Sequence, residues 1–206
     1  MPRNYNDQMK IEHDFGWLDD FEENSQKYAE FCKTEVQDIA SQVKIPFPPT
    51  YRLIRTELDG DDFYIALVCD STEEIVYYIK CRVWEDVVLN AKPVTQVMLW
   101  RTNVIEHRRV TSGVAEEIFR SYLLEQYHVV ASDSCQTREG RDFWVRQLGY
   151  ALQYGEYVYR YHRIECDLQQ ITDHSLVRNN KADLWGDDMD YENVLAVISK
   201  NEIILG

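Results

Sequence analysis

Between residues 51 and 104 the chain carries four β-rich runs whose connections are too short to hold a helix. They are YRLIRTEL (51–58), DFYIALVC (62–69), EIVYYIKCRVW (74–84) and VTQVMLWRTNV (94–104). Asp59-Gly60, a strong tight-turn pair, separates the first two. The turn DSTEE separates the next two, and a loop through Lys92-Pro93 leads to the fourth. Parallel neighbours need a crossover of about a dozen residues or more. The spacing therefore predicts an antiparallel meander with one face covered.

After Gly113 the apolar period changes from two to that of a helix. Val114, Ile118, Tyr122 and Gln126, flanked by Phe119 and Leu123, form one stripe that ends near Tyr127. HVVAS (128–132) is short and apolar and reads as a buried strand. A second helix is expected from Thr137 to Leu148 with Gly149 as its stop, and EYVYRYHRI (156–164) alternates as the last main strand. Upstream, a helix is expected from Asn24 or Ser25, with Tyr28, Cys32, Val36, Ile39 or Ala40 and Val43 on one face. It must stop before Pro46, Pro48 and Pro49. The first twenty residues read as an arm, residues 165–190 as polar and turn-rich, and the apolar end ENVLAVISKNEIILG as a short helix or a strand. The division that follows is an arm and helix (1–45), a main domain (46–165) and an extension packed on it (166–206). The fold class is α/β, in the α+β sense of a mixed sheet with helices.

Composition narrows the partners. Hydrophobic residues make up 45% of the 206 residues and aromatics 13%, enough for a proper core. Thirty-six acids against 22 bases give a formal charge of −14. Such a chain is not expected to bind nucleic acid directly, because that affinity comes largely from neutralised phosphates. It suits a cationic substrate, a protein partner with a basic surface, or simple self-repulsion in solution. Cys32, Cys69, Cys81, Cys135 and Cys166 are odd in number and widely spaced, without a C-x-x-C pair, so reduced thiols are expected rather than a disulfide frame or a metal site. The start, MPRNYNDQMKIEHDF, lacks the apolar run of a signal peptide, and no segment has the length to span a bilayer. The expectation is a soluble, cytoplasmic protein without membrane contact.

A basic turn and a glycine at a strand-to-helix junction, EHRRVTSG, suggest where an anion would rest. Free N–H groups of a first helical turn and the helix dipole both favour negative charge. Arg108 and Arg109 stand just before this turn. Glu106 at the end of the fourth strand and Asp133 at the end of the fifth sit where a cleft between strand ends would open, and are the candidate general bases. His107 could act as an acid or base near neutral pH, but between Glu106 and Arg108 it reads as a surface residue. Ser132, Ser134 and Cys135 lack an identifiable base partner for nucleophilic chemistry.

Meander, glycine turn, helix, strand, helix, strand resembles the order of the GCN5-related N-acetyltransferase (GNAT) superfamily. The best local likeness is FWVRQLGYALQYGEYVYRY, similar to that family's aromatic-x-x-x-Leu-Gly-aromatic helix followed by a final strand. The family's coenzyme A loop, Gln/Arg-x-x-Gly-x-Gly/Ala, falls on Val110-Thr111-Ser112-Gly113-Val114-Ala115, with the glycine and small residue in place and the leading Gln or Arg absent. The resemblance covers roughly residues 51–164. It implies acetyl-CoA as cofactor, held by Arg108, Arg109, Thr111, Ser112, Gly113, Val114 and Ala115, and acetyl transfer to a primary amine such as a polyamine or a protein lysine.

Such transfer needs the pyrophosphate held, the amine deprotonated and the leaving thiolate protonated. The family's donor tyrosine falls on Val145, beside Phe143 and Trp144, none of which can donate a proton. Glu116 and Glu117 would repel a diphosphate unless they face away. Two other readings therefore stand beside the enzyme. One is a GNAT-shaped binding or structural module without chemistry. The helix TREGRDFW and the acidic character resemble GNAT-like proteins encoded by tailed phages, which would place the chain in host cytoplasm or virion. The other is an acidic nucleic-acid mimic that inhibits a host enzyme.

Overall fold

The computed structural model describes residues 15–57, 60–131, 138–179, 184 and 193–205. The chain is α+β with a mixed sheet, and its contacts divide into two compact units. Among the described residues no helix is long and apolar enough to cross a membrane, and no cluster of residues is suited to hold a metal.

The first unit takes residues 7–83 and 96–122. Helix α1 (Phe21–Lys33) starts earlier than the pattern suggested because Asp20 caps it, its carboxylate accepting from Glu23 N–H at 3.0 Å. The helix also stops ten residues short of Val43. Gln37–Asp38 (β1) pairs instead with Arg55 and Ile54, and Ile39 N–H donates to Leu53 O at 2.9 Å. Ile39 and Val43 are buried all the same, so the periodic residues reach the core from extended and 3₁₀ backbone. Strands β2 (Tyr51–Glu57), β3 (Phe63–Cys69) and β4 (Glu74–Val83) form the expected antiparallel meander, with β5 (Val94–Arg101) beside β4. Asp59 of the turn pair lies outside the described residues, while Gly60 takes φ +80°.

The expectation of one covered face fails. β3 and most of β4 are buried on both faces. On one face Phe31 of α1 stacks on Tyr64 and Tyr78, and Phe15 and Trp17 meet Tyr78 edge-on, so the end of the N-terminal arm packs here. On the other face the Tyr122 hydroxyl accepts from Arg55. At the rim of the α1 face Arg52 grips Asp70 with two bonds of 2.8 and 2.7 Å, and Tyr28 adds a third at 2.8 Å. Arg52 first, then Tyr28, hold the Asp70 carboxyl below its ordinary value against the opposing effect of burial. A depressed carboxyl contributes stability above its unfolded value and loses it as pH falls through the folded one. Asp70→Asn is therefore expected to flatten the acid limb of the stability curve below about pH 4. Chemical denaturation from pH 2 to 7 reads this, and an unchanged acid limb would refute it.

Beyond β5 the backbone makes a 3₁₀ turn at Ile105–His107, the short helix α2 (Arg108–Thr111), and α3 (Val114–Ile118), which continues through a π-turn at Phe119–Leu123 into α4 (Leu124–Gln126). Val114, Ile118, Phe119, Tyr122 and Leu123 are buried as the stripe required, while Gln126, its last member, is exposed.

The second unit takes residues 84–95 and 123–206. Its strands run in the order β6 (Val129–Ala131), β9 (Val194–Ser199), β7 (Tyr157–His162), β8 (Asp167–Ile171), all antiparallel neighbours. Val94, the first residue of β5, pairs in parallel with Val129, which makes this a mixed sheet. Strand β9 is buried at every position and lies between β6 and β7. Its apolar run carries no alternation, which is why helix and strand were equally compatible with it. The polar segment after residue 165 holds β8 and the helix α6 (His174–Asn179). Helix α5 (Arg138–Gln153) runs through Gly149; its stop is Gly155 at φ +74°. Gly155 N–H bonds Leu152 O and Glu156 N–H bonds Ala151 O, the paired closure that a left-handed residue after a helix permits.

Candidate functional site

The basic turn forms one wall of an open groove of about 720 Å³, lined by Arg101, Ile105, Arg108, Arg109 and Ser112. Local structure explains the arrangement. Strand β5 ends at Arg101, on the same face as Leu99 by strand alternation, and the chain then turns through Ile105–His107 into α2. Arg108 and Arg109 are exposed at the start of α2, and Ser112 is exposed at its end. Gly113 takes φ +77°, a left-handed conformation that side chains resist, and hands the chain to α3. Among the described residues no carboxylate pairs with Arg101, Arg108 or Arg109.

Three guanidinium groups sharing one concave surface in a chain of charge −14 form a local field opposite to that of the whole. Guanidinium is a forked, permanently charged donor matched to phosphate or carboxylate. The apolar neighbours Leu99, Val104 and Ile105 are exposed by 38%, 42% and 74%, so a ligand with anionic and apolar parts matches the local chemistry. The Tyr77 hydroxyl is fully buried and finds no hydrogen-bond partner among the described residues; burial raises it well above its ordinary value against the pull of Arg101.

The expected site residues fare unequally. Arg108, Arg109 and Ser112 line the groove, and Gly113 shapes its edge. Thr111 and Val114 point inward: both are buried, and Thr111 Oγ1 donates to Arg108 O at 3.3 Å. Ala115 is half-buried. Glu106 is exposed and bonds to no described residue. Asp133, Ser132, Ser134 and Cys135 lie outside the described residues. Glu117 does face away: it accepts from Lys44 N–H at 2.9 Å and from the Ser121 hydroxyl.

His107 is not a surface residue. It is 3% exposed, with Nε2 2.6 Å from Glu74 Oε1 and Nδ1 2.8 Å from the Tyr51 hydroxyl. Glu74 Oε1 also accepts from Thr72 Oγ1 at 2.8 Å. Burial, then the neighbouring Cys69 and Glu74, push the Tyr51 phenol up to about 12, so it stays a proton donor. These partners lie 33 and 56 residues from His107, and no local spacing announces such a meeting. Arg101 was missed for another reason: it reads as strand interior until the strand is seen to end there.

In comparisons with known proteins, no family model, no curated protein and no solved structure matches the chain.

Proposed function

We propose that this chain is a GNAT-like protein that binds acetyl-CoA, or a related acyl-CoA, with the pyrophosphate in the arginine groove. The observation that carries the reading is the convergence of Arg101, Arg108, Arg109 and Ser112 on one open surface at a strand-to-helix turn. The element order from Tyr51 to His162 supports it: meander, glycine turn, helix, strand, helix, strand is the sequence of elements the superfamily uses. The groove's flexible donors would take the phosphates, and exposed Leu99, Val104 and Ile105 offer apolar contact to a pantetheine arm. A cationic amine, such as a polyamine or a lysine side chain, is the acceptor suited to an acidic protein.

A second reading keeps binding and drops turnover. Val145 on α5 is half-buried where the donor tyrosine is expected, and the candidate base Glu106 has no orienting partner among the described residues. Calorimetry with acetyl-CoA tests the shared step. Saturable binding below millimolar cofactor is expected, and none at millimolar cofactor would remove both readings. Thiol release with spermidine or a lysine peptide then separates an acetyltransferase from a binding module.

A further inference from the structure

One buried ring ties the arginine-bearing turn to the sheet. From Val104 to Val110, His107 is the one buried side chain; its neighbours are exposed or half-exposed. Its two nitrogens reach two different strands, Glu74 at the first residue of β4 and Tyr51 at the first residue of β2. The rings of Tyr51 and His107 also meet edge-on, with centroids 5.9 Å apart.

We infer that His107 is a positioning residue for anion binding, pinning Arg108 and Arg109 at the groove through Glu74 and Tyr51. The inference rests on the reading that this groove takes a phosphate-bearing ligand. Its physical basis is that three guanidinium groups, without acid partners among the described residues, repel one another and would spread if the turn were free. Holding the backbone in place before the ligand arrives lowers the ordering cost of binding. The neutral ring donates from Nε2–H to Glu74 and accepts the Tyr51 O–H at Nδ1; the charged ring donates at both nitrogens. Both states keep both contacts, so the pin holds whichever is present.

The ring sits between the sheet and its own turn. Glu74 faces it from β4, Tyr51 from β2, and Cys69 of β3 lies beside Tyr51. On its own turn stand Glu106, Arg108 and Arg109.

The test is calorimetry with inorganic pyrophosphate and, in parallel, coenzyme A, on the full chain. His107→Phe keeps a ring but drops both hydrogen bonds and is expected to weaken pyrophosphate about tenfold or more, and Tyr51→Phe about threefold. His107→Gln retains hydrogen-bonding capacity and is expected within about threefold of wild type, a rescue that a merely packing role would not give. If His107→Phe does not fold, Tyr51→Phe and His107→Gln decide. Unchanged affinity in Tyr51→Phe or in a folded His107→Phe, or no rescue by glutamine, overturns the inference and leaves the groove reading standing. If wild type binds neither pyrophosphate nor coenzyme A, the groove reading falls and this inference with it.

Discussion

Replacing Arg108 and Arg109 together with alanine is expected to lower coenzyme A affinity about 100-fold while leaving the melting temperature nearly unchanged. Each charge-assisted hydrogen bond to a phosphate is worth about 1.5–3 kcal/mol. The groove is open, so the lower end applies, and two such bonds sum to about 3 kcal/mol, which is about a hundredfold. Both arginines are exposed and pair with no described carboxylate, so truncation removes no contact that holds the fold. Surface changes of that kind fall within about 0.5 kcal/mol of wild type. The loss should shrink as salt rises, because exposed charges are screened over about 10 Å at 0.1 M. Titration calorimetry gives the affinity and a thermal melt gives the control. A double variant that binds like wild type would place any cofactor site elsewhere on the chain.

What the sequence made legible, and what it hid, follows from how local each signal is. Strands β2, β3 and β4 could be read because β-branched and aromatic runs are broken by short turn clusters such as Asp59-Gly60 and DSTEE. Their edges moved by only a residue or so. The stripe from Val114 to Leu123 was legible for the same reason, since one buried face imposes its period on the sequence. Helix α1 misled because Val36, Ile39 and Val43 continue a helical period that the backbone does not follow. Pairing of Gln37 and Asp38 with β2 satisfies main-chain groups that a longer helix would have satisfied another way, and no local pattern tells the two apart. Strand β8 was hidden because DLQQI is mostly exposed; main-chain bonds to β7 make it a strand. Gly149 looked like a helix stop because a glycine there suits one, yet the left-handed residue is Gly155, six positions on. At the candidate site the basic turn and its glycine were visible as sequence neighbours. Arg101 and the His107 contacts were not, because they depend on where β5 ends and on strands far away in the chain.

Asn24→Leu is expected to cost about 4 kcal/mol of stability. Asn24 sits on α1 but is only 3% exposed, and its amide serves as a surrogate strand partner. Nδ2 donates to Leu18 O and to Ile75 O, each at 3.0 Å, and Oδ1 accepts Ile75 N–H at 2.7 Å. The need arises from the ladder itself. Between β3 and β4 the register slips at Leu67/Val68: Leu67 faces Tyr77 while Val68 faces Ile75, so Val76 is the extra residue. Beside this irregularity the two main-chain groups of Ile75 are served by the asparagine, in a residue with no exposed surface. Leucine has the same branched shape and the same number of side-chain heavy atoms, so the change leaves no cavity, and its bulkier methyl groups add some crowding to the polar loss. It strands one N–H and two carbonyls out of reach of water, at about 1–3 kcal/mol each, partly relieved by local movement. For a chain of this length about 4 kcal/mol corresponds to a melting point lower by about 10 °C. Asn24→Asp makes a sharper companion, because it keeps the acceptor for Ile75 N–H yet loses both donated bonds and buries a charge. If hydrogen bonding rather than packing sets the cost, aspartate should destabilise at least as much as leucine. If leucine proves neutral, the helix is held on β4 by the aromatic contacts of Phe31 and Tyr78, and the bulge needs no partner from α1.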